Sequence, residues 1–276
     1  MKMKLLFWKE MYMRFVEVKV FFDGDDYFII IEKLNYKNNI KIIEQEFTKE
    51  FKDKNEIKYY ITNVLNNKEF RKLKIFINYI SNDVIIEVIN ENRETKTKYL
   101  EELEKLYPNY KNEFNLLCGE IKINANNKKI VCALLNYDIS KNINNIISFV
   151  GKEKVYYGID PVLLQTFINN NLNLFNKKYI IIIQKNFHFY RIYQIYNTKI
   201  LNYVVLNEKS LFFKNNFEHC LKAIDNKVDV LILDAPYSLY NEFIEKFFNV
   251  NVSFMDYQEK LKYLDERKIV YAKKKI

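Results

Sequence analysis

Glycine is scarce in this chain: four residues in 276, where about 19 would be average for this length. Gly24, Gly119, Gly151 and Gly158 lie far apart, so no two share a loop. That excludes Walker A and GxGxxG sites, whose glycines let the backbone approach phosphates closely. Three cysteines at unrelated spacings build neither a disulfide framework nor a zinc site. Arginine is rare too: Arg14, Arg71, Arg93, Arg191 and Arg267 stand among 44 basic residues, the rest being lysine. No apolar run reaches the ~18 residues of a membrane span. The opening Lys2–Trp8 stretch holds only a short apolar core, too short for a signal peptide. The expectation is a soluble cytoplasmic protein, starting at Met1, Met11 or Met13.

Hydrophobic residues make up 49 % and charged residues 29 %. Such a chain fills a real core and has room for one large domain or two ordinary ones. The net charge of +9 raises a nucleic-acid partner as one reading. Against it, base and phosphate readers favour the bidentate arginine fork, and the excess here is lysine. Lysine, asparagine, isoleucine, tyrosine and phenylalanine share A/T-rich codons, so an A/T-rich genome accounts for the basic balance without a selected anion partner.

The pattern along the chain is more informative. Val16, Val18 and Val20 alternate with Glu17 and Lys19, the period-2 signature of a half-buried strand. Asp23-Gly24-Asp25-Asp26 is a hairpin turn, followed by strands at about 27–36 and 40–47. Ile57, Tyr60, Ile61, Val64 and Leu65 stripe a helix, with Asn55 as its expected N-cap; a fourth strand covers 73–79. From Tyr179 the same order returns: three strands joined by tight turns, a helix striped by Phe213, Phe217, Cys220, Leu221 and Ile224, and a strand over 228–233. Then come a helix with Leu239, Phe243, Phe247 and Phe248, a strand at 250–254 and a last helix from Tyr257. The first half continues likewise, after an interruption: a helix over 139–150, a strand over 154–158 and a helix from Pro161, where proline suits the first turn. Between them, residues 84–137 predict a strand, a helix, and two strands. The chain is therefore expected to be α/β, βββαβαβα twice, with a βαββ insert.

A duplicated unit of this kind resembles the actin-like ATPase superfamily, built from two ribonuclease-H-like lobes. The insert resembles the extra subdomain of PilM-type proteins of type IV pilus assembly, and the cytoplasmic part of the type II secretion protein GspL is similar. Phe149-Val150-Gly151 followed by Val155-Tyr156-Tyr157-Gly158-Ile159-Asp160-Pro161 resembles that family's glycine, short strand, hydrophobic-Asp and helix segment. Val230-Leu231-Ile232-Leu233-Asp234-Ala235-Pro236 falls where the family has a strand ending in an adenosine loop. The implied division is a first lobe over 15–177, carrying an insert subdomain over 84–137, and a second lobe over 178–276.

The departures from the family pattern set the functional expectation. In the superfamily one β-hairpin turn per lobe wraps the nucleotide phosphates, and both favour glycine and an acid. The first turn here keeps Asp23 and Gly24, the candidate cofactor-binding residues, although Asp-Gly is also a common structural hairpin turn. The second, Gln184-Lys185-Asn186-Phe187, has neither glycine nor carboxylate, and Asp234-Ala235-Pro236 has no glycine. No catalytic or metal-ligating residue is expected. Glu17 is read as one outward salt-bridging side chain, since a two-metal nuclease needs carboxylates converging from neighbouring strand ends. Asp234 is read as a helix cap. His219 and Cys220 are adjacent on a helix and do not face each other; Cys118 and Cys132 fall on paired strands of the insert, and Lys273–Lys275 is a solvated end.

The resemblance thus implies a non-catalytic cytoplasmic scaffold of a type IV pilus or type II secretion inner-membrane platform. It would bind the cytoplasmic segment of a bitopic membrane protein and sit at the inner membrane through that partner, with no cofactor. The alternatives are an active actin-fold ATPase or kinase that binds ATP with atypical loops, and a basic nucleic-acid-binding protein.

Overall fold

The computed structural model describes residues 13–23, 26–37, 40–70, 73–92, 99–122, 127–137, 141, 155–170, 175, 178–222, 224, 227–233, 235–247, 249–255 and 272–273. The first part runs β1 (Met13–Asp23), β2 (Asp26–Lys37), β3 (Ile40–Phe51), α1 (Lys54–Leu65) and β4 (Lys74–Ser81). A five-element excursion follows: β5 (Val84–Asn92), the helices α2 (Tyr99–Leu106) and α3 (Tyr110–Glu113), then β6 (Phe114–Lys122) and β7 (Asn127–Asn136). The chain resumes with β8 (Val155–Ile159) and α4 (Asp160–Asn170). The second part is β9 (Tyr179–Asn186), β10 (Phe189–Tyr196), β11 (Lys199–Asn207), α5 (Phe213–Leu221), β12 (Val228–Leu233), α6 (Tyr237–Lys246) and β13 (Val252–Met255). A two-residue strand, β14 (Ala272–Lys273), comes last.

Three sheets result. Their orders are β14-β8-β4-β1-β2-β3, β11-β10-β9-β12-β13 and β5-β7-β6. In both large sheets a three-stranded antiparallel meander joins parallel strands: β1 pairs with β4 and β9 with β12 in parallel. Val16–Val20 and Ile180–Ile183 lie in different sheets. The expected helix over 139–150 (Lys141 apart), the helix from Tyr257, and the segments Phe149–Gly151 and Asp234 lie outside the described residues.

One face of the first sheet carries Val16, Val18, Val20, Ile29, Ile31, Ile75 and Ile77 and buries the α1 stripe of Ile57, Ile61 and Leu65. The second sheet packs Ile181, Ile183, Val230 and Ile232 against Leu239 and Phe243 of α6 and Cys220 and Leu221 of α5. The three-stranded sheet closes on its own helix through Leu103, Tyr110, Ile130 and Leu134. In α2, Leu103 is buried while Leu100 and Leu106 are exposed.

Several local readings are corrected. The N-cap of α1 is Asp53, whose carboxylate accepts from the Asn55 N–H at 2.8 Å; Asn55 is one residue inside the helix. Glu17 does not face solvent: it is 6 % exposed and lies directly across from Glu32 on β2. Lys19 lies between the two, its Nζ 3.0 Å from Glu32 and 3.8 Å from Glu17. Both faces of β1 are covered, Val16, Val18 and Val20 on one and Glu17 and Lys19 on the other, and alternation alone does not distinguish a covered polar face from a wet one. The N-cap of α6 is Pro236, which makes no side-chain cap bond. Lys273 is not a free tail residue, because β14 pairs antiparallel with β8, Lys273 opposite Tyr156. Ala272–Lys273 thus adds an edge strand to the first sheet, and two residues are too short for a periodicity to announce it.

Candidate functional site

The hairpin β1–β2 closes across Asp23 and Asp26; Gly24 lies outside the described residues, as does the side chain of Asp23. The corresponding hairpin β9–β10 turns later than the sequence suggested. Gln184, Lys185 and Asn186 are still strand, and Phe187-His188 make the turn. Phe187 adopts φ 54°, the left-handed region that glycine occupies without cost.

The two hairpins meet through aromatic rings. Phe21 stacks on Phe189 with centroids 4.6 Å apart. Phe28 lies 5.4 Å from Phe189, 4.6 Å from His188 and 5.8 Å from Phe187. Ile30, Ile80 and Val205 complete this buried cluster. Glu50 of β3 bridges the rim by accepting from Lys209 and standing 3.5 Å from His188. Burial holds the His188 imidazole below its ordinary pKa, and the Lys209 charge adds to this against the weaker pull of Glu50 and Glu208. His188 is thus neutral at pH 7.

Beneath the rings lies a polar knot. Asp160 opens α4, where the helix N-terminus favours a carboxylate. Its Oδ1 accepts from Asn78 Nδ2 of β4 at 3.1 Å and from Arg191 of β10 at 2.6 Å. Its Oδ2 accepts from the Tyr193 hydroxyl, and Gln184 Oε1 lies 3.0 Å from that same hydroxyl. Arg191 also donates to Asn186. Arg191 is 2 % and Asp160 3 % exposed, so both charges are withdrawn from water and each depends on the other. Burial, then the Asp160 charge, pushes the Tyr193 hydroxyl well above its ordinary pKa; it stays protonated and donates.

Two further contacts join the sheets. Asn82, just after β4, donates Nδ2 to the Val205 carbonyl at 2.9 Å and accepts from the Val205 N–H at 2.6 Å. Gln165 of α4 donates to the Thr198 carbonyl and accepts from the Ile200 N–H. The apolar face of α4, Leu164, Phe167 and Ile168, packs under the second sheet against Ile180, Ile182, Tyr193 and Leu231. A helix that follows β8 of the first sheet thus shares a core with the second sheet.

The duplicated meander-and-crossover topology decides the fold. The chain has the actin-like ATPase fold. Its structure is similar to PilM in the PilM–PilN type IV pilus biogenesis complex, with a TM-score of 0.52 at 11 % identity over 95 % of this chain and 94 % of that one. It also matches the cytoplasmic domain of EpsL, an inner-membrane component of the Vibrio cholerae type II secretion system (TM-score 0.45, 8 % identity, 91 % and 94 % covered). A third match is a Bacteroides thetaiotaomicron protein of actin-like ATPase fold and unknown function (TM-score 0.45, 12 % identity, 92 % and 95 % covered). No family model matches the sequence, and no curated protein matches it.

In an actin-like fold a nucleotide's phosphates sit between the two hairpins. Here Phe21, Phe28, Phe187 and Phe189 fill that interval. Arg191 of β10 is committed to Asp160 and Asn186. Among the described residues no group of three or more His, Cys, Asp or Glu side chains could hold a metal ion. The sequence reading missed Asp160, Arg191 and Tyr193 as a unit. The signal available was one of five arginines set in a mostly apolar and aromatic strand, where a charge needs a partner.

Proposed function

We propose that this protein is a non-catalytic actin-like scaffold of a type IV pilus or type II secretion inner-membrane platform, and that it binds the cytoplasmic segment of a membrane protein. The observation that carries the reading is the aromatic seam between the hairpins, a closed face where an actin-fold ATPase needs a phosphate cradle. The likeness to the PilM–PilN complex over nearly the full length of both chains supports the direction. The working units are a first lobe over 15–177, a second over 178–276, and the 84–137 insert as the partner-recognising subdomain, since added subdomains are where function diverges on a shared fold. An extended peptide laid into a groove, held by backbone hydrogen bonds and a few apolar pockets, is the physical route. Localisation at the inner membrane would follow from that partner; no helix among the described residues is long and apolar enough to cross a membrane.

The test is a pull-down of bitopic membrane proteins encoded beside this gene, with the full chain and with a folded variant whose residues 84–137 are replaced by a linker. Capture by the full chain and loss with the variant is expected; no capture by the full chain sinks the scaffold reading. In parallel, ATP with magnesium should leave the melting temperature unchanged. A ligand at about 100 times its Kd would stabilise by about 2.7 kcal/mol, so a clear rise would favour the ATPase alternative. Tight, steeply salt-dependent binding of RNA or DNA would favour the nucleic-acid alternative.

A further inference from the structure

Two of the chain's three cysteines meet in the insert. β6 pairs antiparallel with β7, and the register sets Cys118 directly opposite Cys132. Opposed residues of an antiparallel pair have Cα atoms about 4.5 or 5.5 Å apart, according to the hydrogen bonding of the pair. Both separations lie inside the ~4.4–6.8 Å range over which a disulfide closes without moving the backbone. The match falls in the body of each strand and not at a frayed end: Cys118 is the middle residue of Phe114–Lys122, and Cys132 lies well within Asn127–Asn136.

The surroundings leave Cys132 one cysteine to react with. It is 0 % exposed, in the core that the three-stranded sheet forms with Leu103 and Tyr110, so a second protein cannot reach it. Its neighbour on the other side of β7 is Glu87 of β5, which accepts from the Tyr107 hydroxyl at 2.7 Å. Cys220 belongs to the core of the second sheet. The strand order β5-β7-β6 makes β6 an edge of its sheet. Gly119, next to Cys118 in β6, weakens that edge, because glycine in a strand costs entropy and brings no side chain to pack. A covalent link beside it would hold the weaker strand to the central one.

We propose that Cys118 and Cys132 form a reversible redox pair whose disulfide locks the edge strand β6 onto β7. The oxidant is a small disulfide of the glutathione class. Local opening of the edge strand, a motion of low cost at the rim of a sheet, admits it. One cysteine thiolate attacks this disulfide, which forms a mixed disulfide and releases one glutathione thiol. The other cysteine thiolate attacks the protein sulfur of the mixed disulfide, which closes the Cys118–Cys132 bond and releases the second thiol. Two electrons pass from the cysteine sulfurs to the glutathione sulfurs, and the two cysteine protons are balanced by those on the two released thiols. In a reducing compartment the dithiol is the resting state, and a disulfide formed there is transient and redox-sensing. The proposal goes beyond the partner-binding reading and does not depend on it.

The experiment is a titration of the full chain in glutathione buffers from fully reduced to fully oxidised, quenched in acid, alkylated under denaturing conditions, digested and mapped by mass spectrometry. A linked pair of peptides carrying Cys118 and Cys132, two hydrogens lighter than the dithiol pair, is expected to grow with oxidised glutathione and to vanish with dithiothreitol, while Cys220 stays alkylated throughout. Amide exchange in β6 should be several-fold slower in the oxidised chain, and exchange in β12 unchanged. Cys118→Ala should remove both effects of oxidised glutathione. A wild type that keeps both thiols in oxidised glutathione overturns the proposal, as does oxidation that stops at a mixed disulfide or that links two chains. A Cys118–Cys132 link that leaves β6 exchange unchanged overturns the edge-strand lock, and so does slowing of β6 that persists in Cys118→Ala.

Discussion

At the scale of single residues, Asp160 decides most. It receives Asn78 from one sheet and Arg191 and Tyr193 from the other. Removing one member of a buried pair strands the other, so Asp160→Ala or Arg191→Ala should each cost about 3–5 kcal/mol, read from urea denaturation. The double variant should cost less than the sum, because the orphaned charge is gone. Thr198 behaves oppositely. It holds φ 70° beside Asn197 at φ 46°, a two-residue turn of the kind for which Asn-Gly is favoured. A β-branched residue there is strained, so Thr198→Gly should raise the urea midpoint, by about 0.5–1 kcal/mol. His188 sets a pH dependence. Its pKa is lowered on folding, chiefly by burial, so the unfolded chain binds the proton more readily and stability rises with pH. That contribution is complete above the unfolded value near 6.5 and is lost as pH falls through the lower folded value. Urea midpoints should drop from pH 7.5 to 5.5, and His188→Gln should flatten the slope.

At the scale of elements, the alternation of Val16, Val18 and Val20 and the stripe of Ile57, Ile61 and Leu65 were enough to locate a sheet face and the helix that covers it. The repeated order of elements was legible for the same reason: each strand and helix buries a long apolar stripe. Less legible was anything that depends on what lies across a gap. Glu17 and Lys19 look outward by pattern and are buried by their neighbours. Phe21, Phe28 and Phe189 look like ordinary strand residues until the two hairpins are brought face to face. Asn82 looks like a plain turn residue, yet it brackets the Val205 peptide as a neighbouring strand would. Its loss should cost about 1–3 kcal/mol for the backbone groups left unpaired. Asn82→Ala should also speed amide exchange at Val205, while the amides of β9 keep their protection; equal acceleration throughout would mean that Asn82 serves global stability instead.

At the scale of the whole molecule, the two large sheets are not independent bodies that happen to touch. α4 leaves the first sheet from Ile159, presents Asp160 to Asn78, and lays Leu164, Phe167 and Ile168 under the second sheet. Neither core is complete if the other is disordered, because the helix that seals one is anchored by its first residue in the other. Many two-lobed proteins melt in two steps, one for each lobe. This one should show a single calorimetric peak whose van't Hoff enthalpy equals the measured enthalpy, the signature of one cooperative unit. A substitution far out on β12 would then lower the melting point of the first sheet as much as that of its own.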